Sequence, residues 1–410
     1  MTDARLGPWG PNDTTGGPSA APGSADPAPS IGPWDATRPV QADGAAASSA
    51  TTGRPTSLTL GWAGTHGLAG LAVVNFLLKI MTLGLYGFWG KTEVRRRIWS
   101  AIRVEGEPFE YTGHGRELIV GFMVVFGVVM LPAIVLTALA TLFGSAAVSG
   151  TVQAALYLLF ALLYGIGAYR AQRYRLARTR WRGIRMRLAG SSWTYGWTYF
   201  WTLLLLPPTL GWIAPWRTTR LQRMMTRNTS LGDRPLRFTA SSGALYARYA
   251  ILWIGTALIL LAVFAVIGAE LTALTRKHGN LVHLPEAAQM RLGGVVAATA
   301  AVAYLLYGIV AAWYRARVIN HFAANTHFEN ARFAGSASAG GLVWLAVTNT
   351  LMVVLTVGIL GPVAQARQTR YLVEHLRIEG EVDLAAIGQA PDDGLTRGEG
   401  LAQAFDFDAF

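Results

Sequence analysis

Cysteine is absent, so neither a disulfide framework nor a thiolate metal site is available. Lysine is nearly absent too: Lys79, Lys91 and Lys277 are the whole complement, and the net charge of +12 is otherwise carried by arginine. Histidines are few and unclustered. His321 and His327 lie six apart and His278 and His283 five apart, without a neighbouring ligand set. There is no Walker motif, nucleophile elbow or H-E-x-x-H, and "GSASAG" from Gly335 has the wrong spacing for a serine elbow. A non-enzymatic chain is therefore expected, with no catalytic, cofactor or metal residues. The opening "MTDARLGPWG" lacks an apolar core and a cleavage site, so no secretory signal is expected there.

Apolar residues are abundant. They make up 52% of the 410 positions, with mean hydropathy +0.33 and only 14% charged residues, which points to a membrane protein. Residues 1–56, rich in Pro, Gly, Ala and Ser, are expected to be a disordered tail, and 389–410 a flexible one. The tail echo "LGPWGP" from Leu6 and "IGPWDA" from Ile31 reads as low-complexity drift or as paired docking motifs. Between the tails lie seven apolar runs, near 68–89, 117–141, 150–168, 196–216, 245–269, 293–313 and 342–364. Each approaches the ~20 residues that a spanning helix needs.

Charge argues against seven plain spans. Arginine-dense segments flank 196–216 on both sides, at 170–187 and 217–227, and a single crossing would place them across the bilayer from one another. Two full hairpins, 117–168 and 245–313, remove the conflict. The other three runs then turn back, or lie in the interface, on the cytoplasmic side. Each of these carries a related turn: "TLGLYGFW" from Thr82, "TLGWIAPW" from Thr209 and "TVGILGPV" from Thr356. Gly84, Gly211 and Gly358 permit a sharp turn, and Pro207 and Pro208 break a helix outright. The alternative is an ordinary span ending at an aromatic belt. Broken backbone at membrane depth needs cover from protein or water.

The repetition extends beyond the turn. Arg96, Arg223 and Arg370 each lie fourteen residues after the motif threonine; Gly106, Gly232 and Gly380 lie 24, 23 and 24 after it. Asn75, Thr202 and Asn349 each lie seven before it. Those three polar side chains either satisfy carbonyls at a break, bridge helices for ~0.6–2 kcal/mol, or converge on one polar site. Lys79 would cost ~3 kcal/mol at the centre of a span, but in a shallow re-entrant helix its ammonium snorkels to the headgroups. Six strand-like pieces recur, starting near Ser57, Pro108, Ile184, Pro235, Ala331 and Glu381, with Phe109, Phe238 and Phe333 expected on one buried face. The expected fold is a helical membrane protein: two full hairpins, three broken helices, and a small cytoplasmic sheet. Its membrane domain, 57–388, divides into units 57–113, 114–190, 191–240, 241–335 and 336–388.

These motifs resemble the YjgN family of bacterial inner-membrane proteins. The first unit matches at Asn75, Thr82, Leu83, Gly84, Leu85, Tyr86, Trp89, Arg95, Arg96, Arg97, Gly106 and Phe109, and departs at Ile102 and Arg103, where the family has Asn-Thr. The second unit keeps Asn228, Thr229 and Gly232. The stretch after the sixth run keeps Asn325 and Thr326 but has Asn330 in place of Gly, and the last unit keeps Asn349 and Gly380. The resemblance implies an inner-membrane location and no assigned activity.

Both termini are expected in the cytoplasm. The basic clusters, including Arg95, Arg96, Arg97, Arg178, Arg180, Arg220, Arg223 and Arg370, read as topology signals and contacts to acidic phospholipid, not to nucleic acid. Three functions fit: passive passage of a small solute; a scaffold binding acidic lipid or a protein partner; or a lipid-modifying enzyme. Apart from Arg248, close to the start of 245–269, the four cleanest runs hold no ionisable residue between their ends, which argues against ion-coupled pumping.

Overall fold

A computed structural model describes residues 58–280 and 284–389. The two tail motifs near Leu6 and Ile31 and the expected disorder of 1–56 lie outside the described residues, as does 390–410. Five units follow one another, each a helical excursion ending in a β-strand or tight β-hairpin. The first holds β1 (Leu60–Trp62), α1 (Leu68–Met81), α2 (Gly87–Ala101), β2 (Ile102–Val104) and β3 (Glu107–Tyr111). The second holds α3 (Gly115–Val125), α4 (Leu131–Phe143), α5 (Ala146–Ala177), β4 (Thr179–Trp181) and β5 (Ile184–Leu188). The third holds α6 (Ser192–Leu204), α7 (Ala214–Arg227), β6 (Thr229–Leu231) and β7 (Arg234–Phe238). The fourth holds α8 (Gly243–His278), α9 (Glu286–Ala324), β8 (Thr326–Phe328) and β9 (Ala331–Gly335). The fifth holds α10 (Ala339–Leu355), α11 (Gly361–Glu374) and β10 (Leu376–Glu379).

Among the described residues, four helical segments are long and apolar enough to cross a bilayer: 115–143, 146–177, 243–278 and 286–324. They are the members of the two expected hairpins. The first segment continues through a π-helical turn, Phe126–Met130, just before Pro132, whose missing N–H would leave a gap in an unbroken α ladder. At 1.5 Å per residue α8 and α9 reach about 55 Å, well beyond a ~30 Å hydrocarbon layer. The C-terminal turns of α5 and α9 therefore run on as basic extensions that meet the sheet.

The three remaining apolar helices, α1, α6 and α10, have 14, 13 and 17 residues. Each reaches only about 20–26 Å. Each folds back on its basic successor through one shared turn. In it the residue after the threonine and the glycine that follows both take positive φ: Leu83 (51°) and Gly84 (94°), Leu210 (48°) and Gly211 (79°), Val357 (51°) and Gly358 (84°). The glycine N–H returns to a carbonyl five residues back, Lys79, Leu206 or Val353, at 2.7 Å in all three cases. This is a Schellman-type helix stop. The threonine hydroxyl donates to the carbonyl four residues earlier, 2.7, 2.6 and 2.7 Å for Thr82, Thr209 and Thr356. In the first and last turns it also accepts the N–H of Tyr86 or Leu360. The φ values explain the glycines, since a Cβ on Gly84 or Gly358 would meet open space.

The strands form one antiparallel sheet in sequence order, β1 to β10. Each hairpin's second strand pairs with the first strand of the next unit, so every helical excursion is an insertion into a continuous meander. Positive φ at Glu105 and Gly106, and at Arg182 and Gly183, gives two of the hairpins the turn that suits strand twist. The two sheet edges approach each other: Leu58, just before β1, packs on Ala331 of β9 and Ile378 of β10. β1 thus stands where the fifth unit would otherwise supply a second strand.

Two expectations about the sheet are corrected. It is not small: the five opening strands, β2, β4, β6, β8 and β10, escape sequence reading because three or four residues are too few to show alternation. The piece from Glu381 is not a strand. After Gly380 the chain forms a short 3-10 turn, Leu384–Ala386, capped by Asp383, because β1 already occupies that edge. The register does place Phe109, Phe238 and Phe333 on one face, where Phe238 is buried and the other two are half-buried. From the turn at 384–386 a strap runs on to the β4–β5 and β6–β7 turns. The Gly388 N–H donates to Asp233 (3.0 Å), Arg234 to the Ala386 carbonyl (3.2 Å), and the Gln389 amide to the Gly183 carbonyl (2.7 Å).

Candidate amphipathic cleft

The units alternate: short hairpin, long hairpin, short, long, short. Where the last unit meets the first, α11 packs on α1 and α2, and two short hairpins stand side by side with no long hairpin between them. A cleft of about 670 Å³ opens at this seam. One wall is Ala72, Asn75, Phe76 and Lys79 of α1 with Lys91, Val94 and Arg95 of α2. The other is Asn349, Val353 and Val354 of α10, Gly358 and Ile359 of the turn, and Pro362, Gln365 and Gln368 of α11.

Sequence order along the hairpins fixes its polarity. Val353, Val354, Ile359 and Pro362 lie toward the turns, together with Lys79 in the last turn of α1; Lys91, Arg95, Gln365 and Gln368 lie toward the sheet. The turn tips are apolar and exposed, Leu83 at 95% and Val357 at 80%. Asn75 donates to the Gly90 carbonyl at 3.5 Å, and Asn349 to the Ala364 carbonyl at 3.1 Å, so each latches its hairpin at the same height. The Oδ1 atom of each is buried without a hydrogen-bond partner. The structure thus brings Asn75, Lys79, Asn349 and Gly358 together, with Thr82, Gly84 and Thr356 forming the turns above them.

The third unit is built differently. Thr202 bonds back within its own helix, to Thr198 at 2.7 Å. Its turn is braced by the neighbouring long helix: Tyr249 donates to the Gly211 carbonyl and Trp253 to the Leu210 carbonyl, both at 2.8 Å. Thr202, Thr209 and Gly211 therefore stand apart from the cleft.

The arginines also divide. Arg95 is buried in the cleft wall. Arg96 pairs with Glu93 (3.1 Å), Arg178 with Glu117 (2.6 Å) and Arg370 with Glu374 (2.7 Å). Arg97 and Arg223 hold backbone carbonyls of His66 and Ala240. Arg220 is exposed on α7, and Arg180 lies on the sheet. Sequence reading missed Lys91, Gln365 and Gln368; only the pairing of the first and last units gives them a shared wall.

Among the described residues, four apolar helical segments of spanning length, together with turn-back hairpins and a continuous antiparallel sheet, define a polytopic helical membrane class by length and composition. The chain belongs to the family described as "Bacterial protein of unknown function (DUF898)", whose family model matches residues 59–404. It is also 36% identical over 56 residues to the inner membrane protein YjgN of Salmonella typhimurium (strain LT2), a match covering 14% of each chain. No solved structure matches.

Proposed function

We propose that the protein is an inner-membrane scaffold that holds an acidic phospholipid in the cleft between its first and last units. The observation that carries this reading is the cleft's make-up: a wall apolar but for Lys79 beside exposed apolar turn tips, and a basic, amide-rich end toward the sheet. Acyl chains fit the first and a phosphate headgroup the second. Each basic residue near an anionic group contributes about 1 kcal/mol.

Native mass spectrometry of protein extracted in mild detergent tests the reading. Retained phosphatidylglycerol or cardiolipin is expected in preference to phosphatidylethanolamine. Gln368→Glu, which puts a negative charge at the headgroup end, should lower acidic-lipid retention about tenfold and leave zwitterionic lipid unchanged. Equal retention of both classes by both proteins would overturn the proposal, as would solute flux in proteoliposomes above that of empty vesicles.

The same reading places the three short hairpins as re-entrant segments entering and leaving on the cytoplasmic side. The chain has no native cysteine, so single replacements report cleanly. In intact cells Ala147→Cys, in the first turn of α5 at the tip of the first long hairpin, should react with a membrane-impermeant thiol reagent. Ser192→Cys and Arg220→Cys, on either side of the second turn, should both stay unlabelled. Labelling of one of that pair would restore an ordinary span.

A further inference from the structure

Side-chain contacts fix how far the short hairpins reach along the long ones. The Leu210 and Gly211 carbonyls, at the turn of the third unit, accept from Trp253 and Tyr249 of α8. Trp253 lies five residues, about 8 Å, past Arg248, the last charge before an uncharged stretch that runs to Ala269. Beyond that stretch Glu270 accepts from Arg291 of α9 at 3.1 Å, an ion pair suited to the opposite edge of the hydrocarbon. In the first unit Phe88, just past the turn, packs on Leu118 and Phe122 of α3. Phe122 is again five residues past the last charge of its segment, Glu117, and the uncharged helix continues to Phe143, about 32 Å further. The last short hairpin packs on α9 and closes with the same turn. Against a ~30 Å hydrocarbon layer, the turns stop in the half nearer the sheet.

Cross-section therefore changes with depth. Helices that follow one another in sequence pack together, and α11 returns to α1. Among the described residues, ten helices occupy the level between the sheet and the turns: α1, α2, α3 and α5 to α11. Only α4, α5, α8 and α9 continue beyond the turns. At a diameter of about 10–12 Å, the six helices that stop cover roughly 500–700 Å² of the sheet-side half, which nothing matches in the far half. Their outward faces carry exposed apolar side chains, among them Leu77 and Ile80 on α1, Trp197 and Trp201 on α6, and Leu351 and Val354 on α10. Faces of this kind belong in lipid and keep the short hairpins inserted.

We propose that the protein is a membrane wedge: its three short hairpins expand the sheet-side leaflet relative to the other, so it favours and stabilises bilayer that is convex toward the sheet. This rests on the re-entrant reading of the short hairpins given above and is independent of the lipid held in the cleft. The two leaflets of a bilayer adhere, so unequal area in them is relieved by bending; helices inserted in one interface sense curvature for the same reason. The four spanning segments set the direction of the wedge, because they fix which leaflet holds the short hairpins. With the sheet in the cytoplasm, the favoured shape is an inward fold of the inner membrane, where the bilayer bulges into the cytoplasm.

Sorting of the full-length protein along a narrow tether drawn from a giant vesicle of phosphatidylcholine and phosphatidylglycerol tests it. The chain carries one cysteine, Arg220→Cys or Ala147→Cys, and is labelled from outside with an impermeant fluorescent maleimide. Arg220→Cys then reports molecules whose sheet faces out, toward the convex side of the tether, and Ala147→Cys reports those whose sheet faces in. The first should be at least twofold denser on the tether than on the parent vesicle, and the second depleted. Adding Leu83→Asp, Leu210→Asp and Val357→Asp to Arg220→Cys, which makes the turn tips polar, should return the density ratio to about one. Those tips are exposed, and aspartate tolerates their positive φ, so an unchanged melt is expected. The tip variant keeps the sheet, so bulk outside the bilayer does not explain a loss of sorting. Equal densities on tether and vesicle for both labels, enrichment of both orientations, or enrichment that survives the tip changes would overturn the wedge. Topology is read separately in the same vesicles. Equal labelled fractions for Ser192→Cys and Arg220→Cys preserve the re-entrant reading even where sorting fails, whereas complementary fractions overturn both.

Discussion

Phe238→Ala is expected to destabilise the protein by about 3–5 kcal/mol, the range for truncating a buried phenylalanine. Phe238 is 1% exposed at the end of β7. Its ring meets Phe322 of α9 edge to face at 5.4 Å, and its carbonyl accepts a hydrogen bond from Arg227 of α7. The side chain therefore joins two units: its own hairpin follows α7, while Phe322 and the facing strand residue Thr326 belong to the next. Truncation leaves a void at that joint, and α9 loses its anchor on the sheet. A thermal melt in detergent should show a large drop in midpoint. Leu83→Ala at an exposed turn tip, which keeps the same backbone demand, should melt like the parent protein. Equal midpoints for Phe238→Ala and the parent would mean that the sheet is not the element that clamps the units together.

Gly196→Leu is expected to separate α5 from α6. A Cβ at Gly196 would lie 2.3 Å from Ile166 Cγ1 and 2.9 Å from the Ile166 nitrogen. On the facing helix, a Cβ at Gly165 would lie 2.9 Å from the Gly196 Cα. Two glycines thus let the backbones touch, as small residues do between helices in a membrane. The neighbour in the way is partly backbone, which cannot step aside, so the cost should reach or exceed the ~1–3 kcal/mol typical of overpacking. Tyr169, Tyr195 and Leu221 share a core cluster along the same contact and should loosen with it. Gly70→Ala in α1, where a new Cβ meets open space, should be neutral or slightly stabilising through helix propensity. Gel filtration of the two variants separates a packing failure from a general sensitivity to replaced glycines.

The sequence by itself determined the membrane character, the two long hairpins and the turn motif. These are local or compositional matters. Apolar length sets a span, and a threonine followed two residues later by glycine at the end of an apolar run, with a basic stretch after it, is a local pattern, so Thr82, Thr209 and Thr356 could be matched without coordinates. The closing strands of the hairpins were also legible, because five residues such as those of β3 and β7 show alternation. Tertiary structure decided the rest. The opening strands are too short to carry a pattern; they are strands because a neighbouring unit pairs with them. Asn75 and Asn349 share a cleft while Thr202 does not, although all three occupy the same place in their repeats. The difference lies in the neighbours. The third unit stands between two long hairpins, and Tyr249 and Trp253 brace its turn, whereas the first and last units each have a long hairpin on one side only and face each other on the other side when the ends of the chain come together. A repeat fixes what each unit looks like; which side chains face one another at the seam depends on how an odd number of alternating units closes, and no single unit encodes that.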